Sequence, residues 1–331
     1  MTKIKFLSIL NATSLHEGGG LNILNRFKVL KFDKIYFDSR FKNFFINFYL
    51  YKLFLEFFFL ITSNKNTKIT YLSGTPPIFK TSSYILCCFQ NSNIFFSEHK
   101  NFFDWLFSKD LVRYLFFSFF KNNVDLWVTF SPYAKDLLLK NNIAEYKIKI
   151  INIFSVINKK KLVKKKIYDF IYPAVLLPHK NHINLIKALI ILANKGLYPK
   201  VLLTLNNKEV LKSNFLKTID KFKLQVTFKY YHKSITRAYR SSWALIYPSL
   251  TETFGLPILE AFENHLQIIT SDRPYAIQFL QPTLVFDPKN PLDISNKIRK
   301  FMINKNTLNK NIVKTNKNNY LSLNESKKIF L

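Results

Sequence analysis

The chain has 331 residues, enough for two domains of ordinary size, and its 48% hydrophobic and 17% aromatic content excludes a disordered chain. A formal charge of +30 invites a nucleic-acid partner, but only seven of the fifty basic residues are arginine, the residue that bidentate recognition of bases and phosphates favours. The lysine travels with heavy Phe, Ile, Asn and Tyr usage as a chain-wide bias, so no nucleic-acid partner is expected, while an anionic membrane surface stays as a partner for the lysines.

An apolar run predicts a first strand over 4–10, with too short an apolar stretch for a signal peptide. Gly18, Gly19 and Gly20 follow, then a helical pattern through Leu21, Leu24, Phe27 and Val29. Strand, glycine cluster and helix open many nucleotide-binding folds, although the spacing is not G-x-G-x-x-G. A second strand is expected over 34–37 and a long helix over 41–61. Lys42, Asn43, Asn47, Lys52 and Glu56 interrupt that helix, so it reads as buried or interfacial rather than as a crossing. Strands over 68–72 and 84–89 flank the loop Ser73-Gly-Thr-Pro-Pro77. The second strand holds Cys87-Cys88, a pair that packs as small hydrophobes and suits a reducing compartment. Ser97-Glu98-His99 leads into one aromatic helix from 102 to 120. A strand over 126–129, a helix over 133–140 opened by Ser131-Pro132, and a strand over 148–153 close this half.

Residues 158–166 are lysine-rich and poor in apolar side chains, as an interdomain linker would be. The pattern then restarts with a strand over 169–174, a loop over 175–180 and a helix over 181–196. Ile183, Ile186, Leu189, Ile190 and Ala193 make the stripe of that helix and Lys195-Gly196 ends it. Further strands are expected over 200–205, 225–228, 244–247, 266–270 and 283–286, and a last helix over 291–302. The expected organisation is α/β: an N-terminal Rossmann-like domain over 1–157, the linker, a C-terminal Rossmann-like domain over 167–310, and a tail over 311–331. Alternating strands and helices imply parallel sheets covered on both faces, and two such units imply a cleft between them that takes a small ligand.

Residues 243–272 organise the second half. The buried run 244–247 is stopped by Pro248, a polar loop carries Glu252 to Gly255, and Pro257 suits the first turn of a helix whose apolar surface is Ile258, Leu259, Ala261 and Phe262. Strand, glycine loop and helix N-terminus make an anion site. Two carboxylates flank it with seven residues between them. Glu260 lies three residues into the helix, and helical side chains lean toward the N-terminus, so its carboxylate reaches the edge of the site without entering it. A ligand carrying both phosphate and hydroxyl groups satisfies both halves.

The run Tyr247-Pro-Ser-Leu-Thr-Glu252-Thr-Phe-Gly255-Leu-Pro-Ile-Leu-Glu260-Ala, with Pro178-His-Lys180-Asn before it and Phe286-Asp-Pro288 after it, resembles glycosyltransferase family 4, the group 1 glycosyltransferases with an E-x7-E motif. The resemblance implies the GT-B architecture, two Rossmann-like domains with parallel sheets facing across a cleft. It also implies retaining, metal-independent transfer of a hexose or related sugar from a nucleotide-diphosphate sugar to a hydroxyl acceptor. By the same resemblance Glu260 accepts the ribose hydroxyls and Glu252 contacts the donor sugar. Phe254, Gly255 and Leu256 present backbone N–H groups to the pyrophosphate, and Lys180 binds phosphate. His99 stands beside the transferred sugar, and Gly19 and Gly20 pack under the diphosphate. Glu252, His99 and Lys180 form the expected catalytic set, with no cofactor and no metal: the chain has no Asp-x-Asp pair, and His179 and His182 lack a third ligand. The acceptor is expected to be a saccharide or lipid-linked saccharide in surface polysaccharide or O-antigen synthesis, and the enzyme to be cytoplasmic and peripheral on the inner membrane face. The pattern departs from relatives at Val175, where many carry arginine, at Asn264, and at Gln278. Two alternatives stay open: a non-catalytic basic protein binding nucleic acid or membrane, and a sugar-nucleotide epimerase of the same architecture.

Overall fold

A computed structural model describes residues 6–13, 19–37, 45–96, 102–152, 166–213, 215–231, 235–308, 312–313, 321–322 and 325–331. The chain divides into two compact units, Met1–Phe154 with Asn316–Leu331, and Ser155–Thr315. The linker expected over 158–166 lies outside the described residues apart from Lys166.

The first unit runs β1 (Leu7–Asn11), α1 (Gly19–Phe27), β2 (Lys34–Tyr36), α2 (Phe45–Thr62), β3 (Thr67–Tyr71), β4 (Tyr84–Cys88), α3 (Phe102–Leu106), α4 (Lys109–Phe120), β5 (Leu126–Thr129), α5 (Pro132–Lys140) and β6 (Ile148–Asn152). The second runs β7 (Tyr168–Tyr172), α6 (His182–Ala193), β8 (Val201–Leu203), α7 (Asn207–Ser213), α8 (Phe215–Lys221), β9 (Val226–Phe228), α9 (Thr236–Arg240), β10 (Ser242–Tyr247), α10 (Leu256–Glu263), β11 (Gln267–Ser271), α11 (Pro274–Ile277), β12 (Leu280–Gln281), β13 (Leu284–Phe286), α12 (Pro291–Asn304) and β14 (Ile312–Val313). The chain then returns to the first unit as β15 (Leu321–Ser322) and α13 (Lys327–Phe330).

The first sheet has seven strands in the order β15-β6-β5-β4-β3-β1-β2, and every pairing in it is parallel. Strands covered on both faces read as continuous apolar runs, and β4 does so, with Cys87 and Cys88 fully buried. Burial pushes both thiols up, so they pack as small hydrophobes. One core layer holds Ile69, Ile85, Cys87 and Trp127 of the sheet against Leu55 and Phe59 of α2, Phe117 of α4 and Leu137 of α5. The aromatic stretch expected as one helix is two. Ser108 is extended, and its Oγ accepts the Asp110 N–H at 3.1 Å, which caps α4 and ends α3 before it.

Residues 311–331, expected as a tail, belong to both units. Ile312 and Val313 pair antiparallel with β12, whereas Leu321 and Ser322 add a strand to β6. Phe330 is fully buried, edge-on to Phe27 at 5.1 Å and to Phe32 at 6.2 Å.

The second sheet is parallel, six strands in the order β13-β11-β10-β7-β8-β9. The switch in strand order falls between β7 and β10, where doubly wound sheets place ligands beyond the carboxyl ends of their strands. Helices α6 and α12 pack together on this sheet, with Phe301 of α12 at 5.3 Å from Phe170 of β7. Helix α10 packs on β10 and β11. These are the two parallel-sheet α/β units of the GT-B fold.

Candidate active site

The carboxyl end of β10 delivers the chain to the site. After Tyr247 and Pro248 the loop runs to Gly255, whose φ of 76° is left-handed. A Cβ there would stand 3.2 Å from the Tyr275 ring and 3.3 Å from Ile258 Cδ1, so a larger residue would be crowded as well as strained by the left-handed φ. Gly255 is also the N-cap of α10 and makes no side-chain cap bond, while Pro257 lies in the first turn. Phe254 is buried and packs on Phe279 at 5.0 Å.

Glu252 is the centre of a dense network. Its Oε1 accepts from Tyr247 Oη and from Ser249 Oγ, each at 2.7 Å, and from Lys180 Nζ in a direct ion pair. The two side chains of that pair are 14% and 15% exposed. Burial, the largest influence on Glu252, pushes its carboxyl up, but the Lys180 charge and the hydrogen bonds from Lys180, Ser249 and Tyr247 together hold it below the usual carboxylate range. Tyr172, Tyr247 and Tyr275 are all pushed up by burial and then by the Glu252 charge. They stay protonated, so Tyr247 remains a donor.

Lys180 closes a 3₁₀ turn, Pro178–Lys180, that follows β7. Its carbonyl accepts from Tyr172 Oη, and its N–H donates to the Leu177 carbonyl at 3.0 Å. Asn181 is left-handed with φ 59°, and its Nδ2 donates to the Pro248 and Pro288 carbonyls at 3.0 and 2.7 Å. The His179 carbonyl accepts from Leu250 N–H at 2.8 Å and Ser249 Oγ at 3.1 Å. Two loops distant in sequence are thereby sewn together, which is why Lys180 meets Glu252.

Glu260 has a tyrosine donor of its own. Tyr239 Oη of α9 donates to Glu260 Oε2 at 2.7 Å. Neither Tyr239 nor Tyr247 was foreseen from sequence as a partner of these carboxylates. Ser249 and Tyr275 were also missed; Tyr275 Oη and Ser271 Oγ both donate to the Ser249 carbonyl at 2.7 Å. Glu209 is a further unforeseen tie, accepting the Leu176 N–H at 2.8 Å and the Asn206 N–H at 2.9 Å. Val175, standing where relatives carry arginine, is exposed.

Of the remaining predicted residues, Gly19 and Gly20 begin α1 in the first unit, while Gly18 and His99 lie outside the described residues. His182, the first residue of α6, is buried against Tyr172 at 4.7 Å and Phe215 at 6.4 Å, with neither ring nitrogen hydrogen-bonded. Burial, helped by the nearby Lys180 charge, pushes it down to about 4. Among the described residues no three His, Cys, Asp or Glu side chains gather as metal ligands would. An open cavity of about 560 Å³ lined by Asp272, Gln281, Thr283 and Lys297 includes none of the predicted site residues.

No curated protein sequence matches the chain significantly. Among solved structures, Anabaena HepE in complex with UDP has a TM-score of 0.67 at 17% identity, with 91% of each chain covered. A glycosyltransferase from Rickettsia africae has a TM-score of 0.62 at 18% identity, covering 92% of this chain and 89% of that one. TarM, known from S. aureus, has a TM-score of 0.58 at 16% identity; 74% of this chain is matched and it spans only half of TarM. At these identities the likeness shows the fold. The profile of the glycosyl transferases group 1 family matches residues 154–319, which contain the whole Lys180–Glu252–Glu260 constellation. The chain belongs to the group 1 glycosyltransferases.

Proposed function

We propose that the protein is a retaining, metal-independent glycosyltransferase that takes a hexose or related sugar from a nucleotide-diphosphate donor and passes it to a hydroxyl of a saccharide or lipid-linked saccharide. The observation that carries this reading is the meeting of Lys180, from the turn after β7, with Glu252 on the loop that runs into the uncapped start of α10. A diphosphate at the start of α10 meets backbone N–H groups of Phe254, Gly255 and Leu256 and the positive end of the helix dipole. Lys180 supplies the ammonium for the leaving-group charge, a preorganised electrostatic role. Glu252 is the counter-charge of Lys180. A donor phosphate that takes over Lys180 frees Glu252 to accept sugar hydroxyls, while Tyr247 and Ser249 keep its carboxylate oriented. Glu260, positioned by Tyr239, accepts the two ribose hydroxyls.

In this proposal His99, Gly19 and Gly20 keep the roles that the family resemblance gives them, and the overall role is surface polysaccharide or O-antigen synthesis at the inner membrane face. HepE has been crystallised with UDP and glucose, and with UDP-glucose, which supports a uridine nucleotide as the first donor to try. Thermal shift with UDP, GDP, ADP and their sugars identifies the nucleotide, since ligand binding to the folded state raises the melting temperature by mass action. Glu260→Ala then weakens binding of that nucleotide by about tenfold to a hundredfold, the worth of a lost bidentate charged hydrogen bond. Unchanged donor binding and turnover in that variant would sink the assignment.

A further inference from the structure

Helices α2 and α4 lie side by side on one face of the first sheet. Both bury residues in the same core layer, and Lys52 Nζ of α2 lies 5.5 Å from the Phe116 ring of α4. Their outward sides are apolar. Phe54, Phe57 and Ile61 on α2, and Val112, Leu115 and Phe119 on α4, each follow i, i+3, i+7 spacing, and all six are exposed. Phe119 is 77% exposed and Ile61 67%. Single exposed hydrophobes are ordinary, but two neighbouring helical stripes of them mark a contact surface.

The charges around this surface select its occupant. The acidic residue of α2, Glu56, is buried, and Asp110 on α4 is ion-paired with Arg113. Lys65, just beyond α2, and Lys109 on α4 are exposed cations. A second copy of the chain would bring the same formal +30 to the contact and be repelled. A nucleic acid offers phosphates but no apolar layer for six hydrophobic side chains. An anionic bilayer offers both, with anionic headgroups for lysine and an acyl boundary for Phe and Ile. No described helix is long and apolar enough to span a membrane.

We propose that the α2–α4 face docks flat on an anionic lipid bilayer, with Phe54, Phe57, Ile61 and Phe119 entering the boundary between headgroups and acyl chains. The membrane contact of the proposed function thereby acquires a definite surface. This docking rests on the acceptor reading only for its purpose, because its test reads lipid binding without sugar transfer.

The full chain is sedimented with vesicles of phosphatidylcholine alone and of phosphatidylcholine with phosphatidylglycerol, two to one. Wild type binds the mixed vesicles at physiological salt and the neutral ones at least about tenfold more weakly. The combined Phe54→Ser, Phe57→Ser and Phe119→Ser variant loses about tenfold or more of the binding to mixed vesicles and keeps its nucleotide thermal shift. A Phe54→Trp variant, which needs no loss of apolar surface, shows a blue-shifted indole emission on mixed vesicles that lipid-borne quenchers extinguish. Equal binding by the serine variant, equal binding to both vesicle types, an unshifted emission from the Phe54→Trp variant, or self-association through this face in place of lipid binding overturns the proposal. Loss of the nucleotide response in wild type with lipid binding intact would instead count against the transferase reading alone.

Discussion

Glu56 of α2 and Glu252 of the loop before α10 are both largely buried carboxylates with a lysine nearby, yet they are held in opposite ways. Glu56 has one oxygen bonded to the Ile78 N–H at 2.6 Å and the other buried with no partner. Burial is the largest influence and pushes its carboxyl up, in spite of Lys52 and the Ile78 and Phe79 backbone; burial pushes Lys52 down as well. Glu252 is pushed up by burial too, but an ammonium and two hydroxyls converge on its Oε1 and reverse the direction. Burial alone therefore does not set a charge state; the number of donors aimed at the carboxylate does. The second unit keeps a fixed anion on the loop before α10, and the first keeps a carboxyl whose charge its surroundings resist.

The largest expected effect comes from breaking the stronger pair. Glu252→Ala leaves the Lys180 ammonium buried without its carboxylate and lowers stability by about 3 kcal/mol, read by urea unfolding. The combined Lys180→Met, Glu252→Leu variant recovers most of that stability while losing the nucleotide response, which separates the pair's structural role from its proposed chemical one. Recovery of both would break the contrast. An intermediate effect belongs to His182, a third buried titratable group. Its folded value of about 4 lies below the unfolded 6.5, so its contribution is complete above pH 6.5 and is lost as the unfolded chain takes up a proton below that. Wild type should lose about 2 kcal/mol between pH 7 and pH 5 through this group, and His182→Leu should flatten that slope. Glu252 acts further down. Its lowered value means stability present above the usual 4.5 and lost only as pH falls through the depressed value. The smallest effect is Glu56→Gln. A raised carboxyl contributes stability below its usual value and loses it as pH rises through the raised one, so a neutral amide at pH 7 changes stability by no more than about 1 kcal/mol. A cost equal to that of Glu252→Ala would erase the distinction between the two sites.

Much of the second unit was legible because its sequence is punctuated. Pro248, Gly255 and Pro257 bound a strand, a loop and a helix, and the apolar runs of β10 and β11 have no other reading than buried strand. Lys180 was legible through its place before a helix and through resemblance. Its contact with Glu252 was not, because the ties that create it are backbone carbonyls of His179, Pro248 and Pro288, which carry no side-chain signature. Tyr239 and Tyr247 were hidden by abundance: in a chain with 17 tyrosines, two that donate to glutamates look like the rest. Ser108 was overlooked inside an aromatic run, although a serine followed two residues later by aspartate is a helix-start signal. The short helices α7, α8, α9 and α11 have too few turns to show a period. The Asn/Lys-rich bias concealed the end of the chain, where the last strand and helix are decided by tertiary contact with Phe27, Phe32 and β6.

That return has a consequence in time. The first unit needs residues on both sides of the second, since Leu321 and Ser322 extend its sheet, the Lys328 carbonyl accepts from Lys68 Nζ at 3.0 Å, and Phe330 fills the space beside α1. On the ribosome, the unit translated first cannot close its core until residue 330 has emerged, whereas the unit inserted into it has all of its residues by position 315. The second unit therefore has all of its residues before the first does, the reverse of the usual arrangement in which the N-terminal part is complete first. The exposed aromatic stripes and the unfinished sheet edge of the first unit are then the surfaces most in need of protection while the chain is being made.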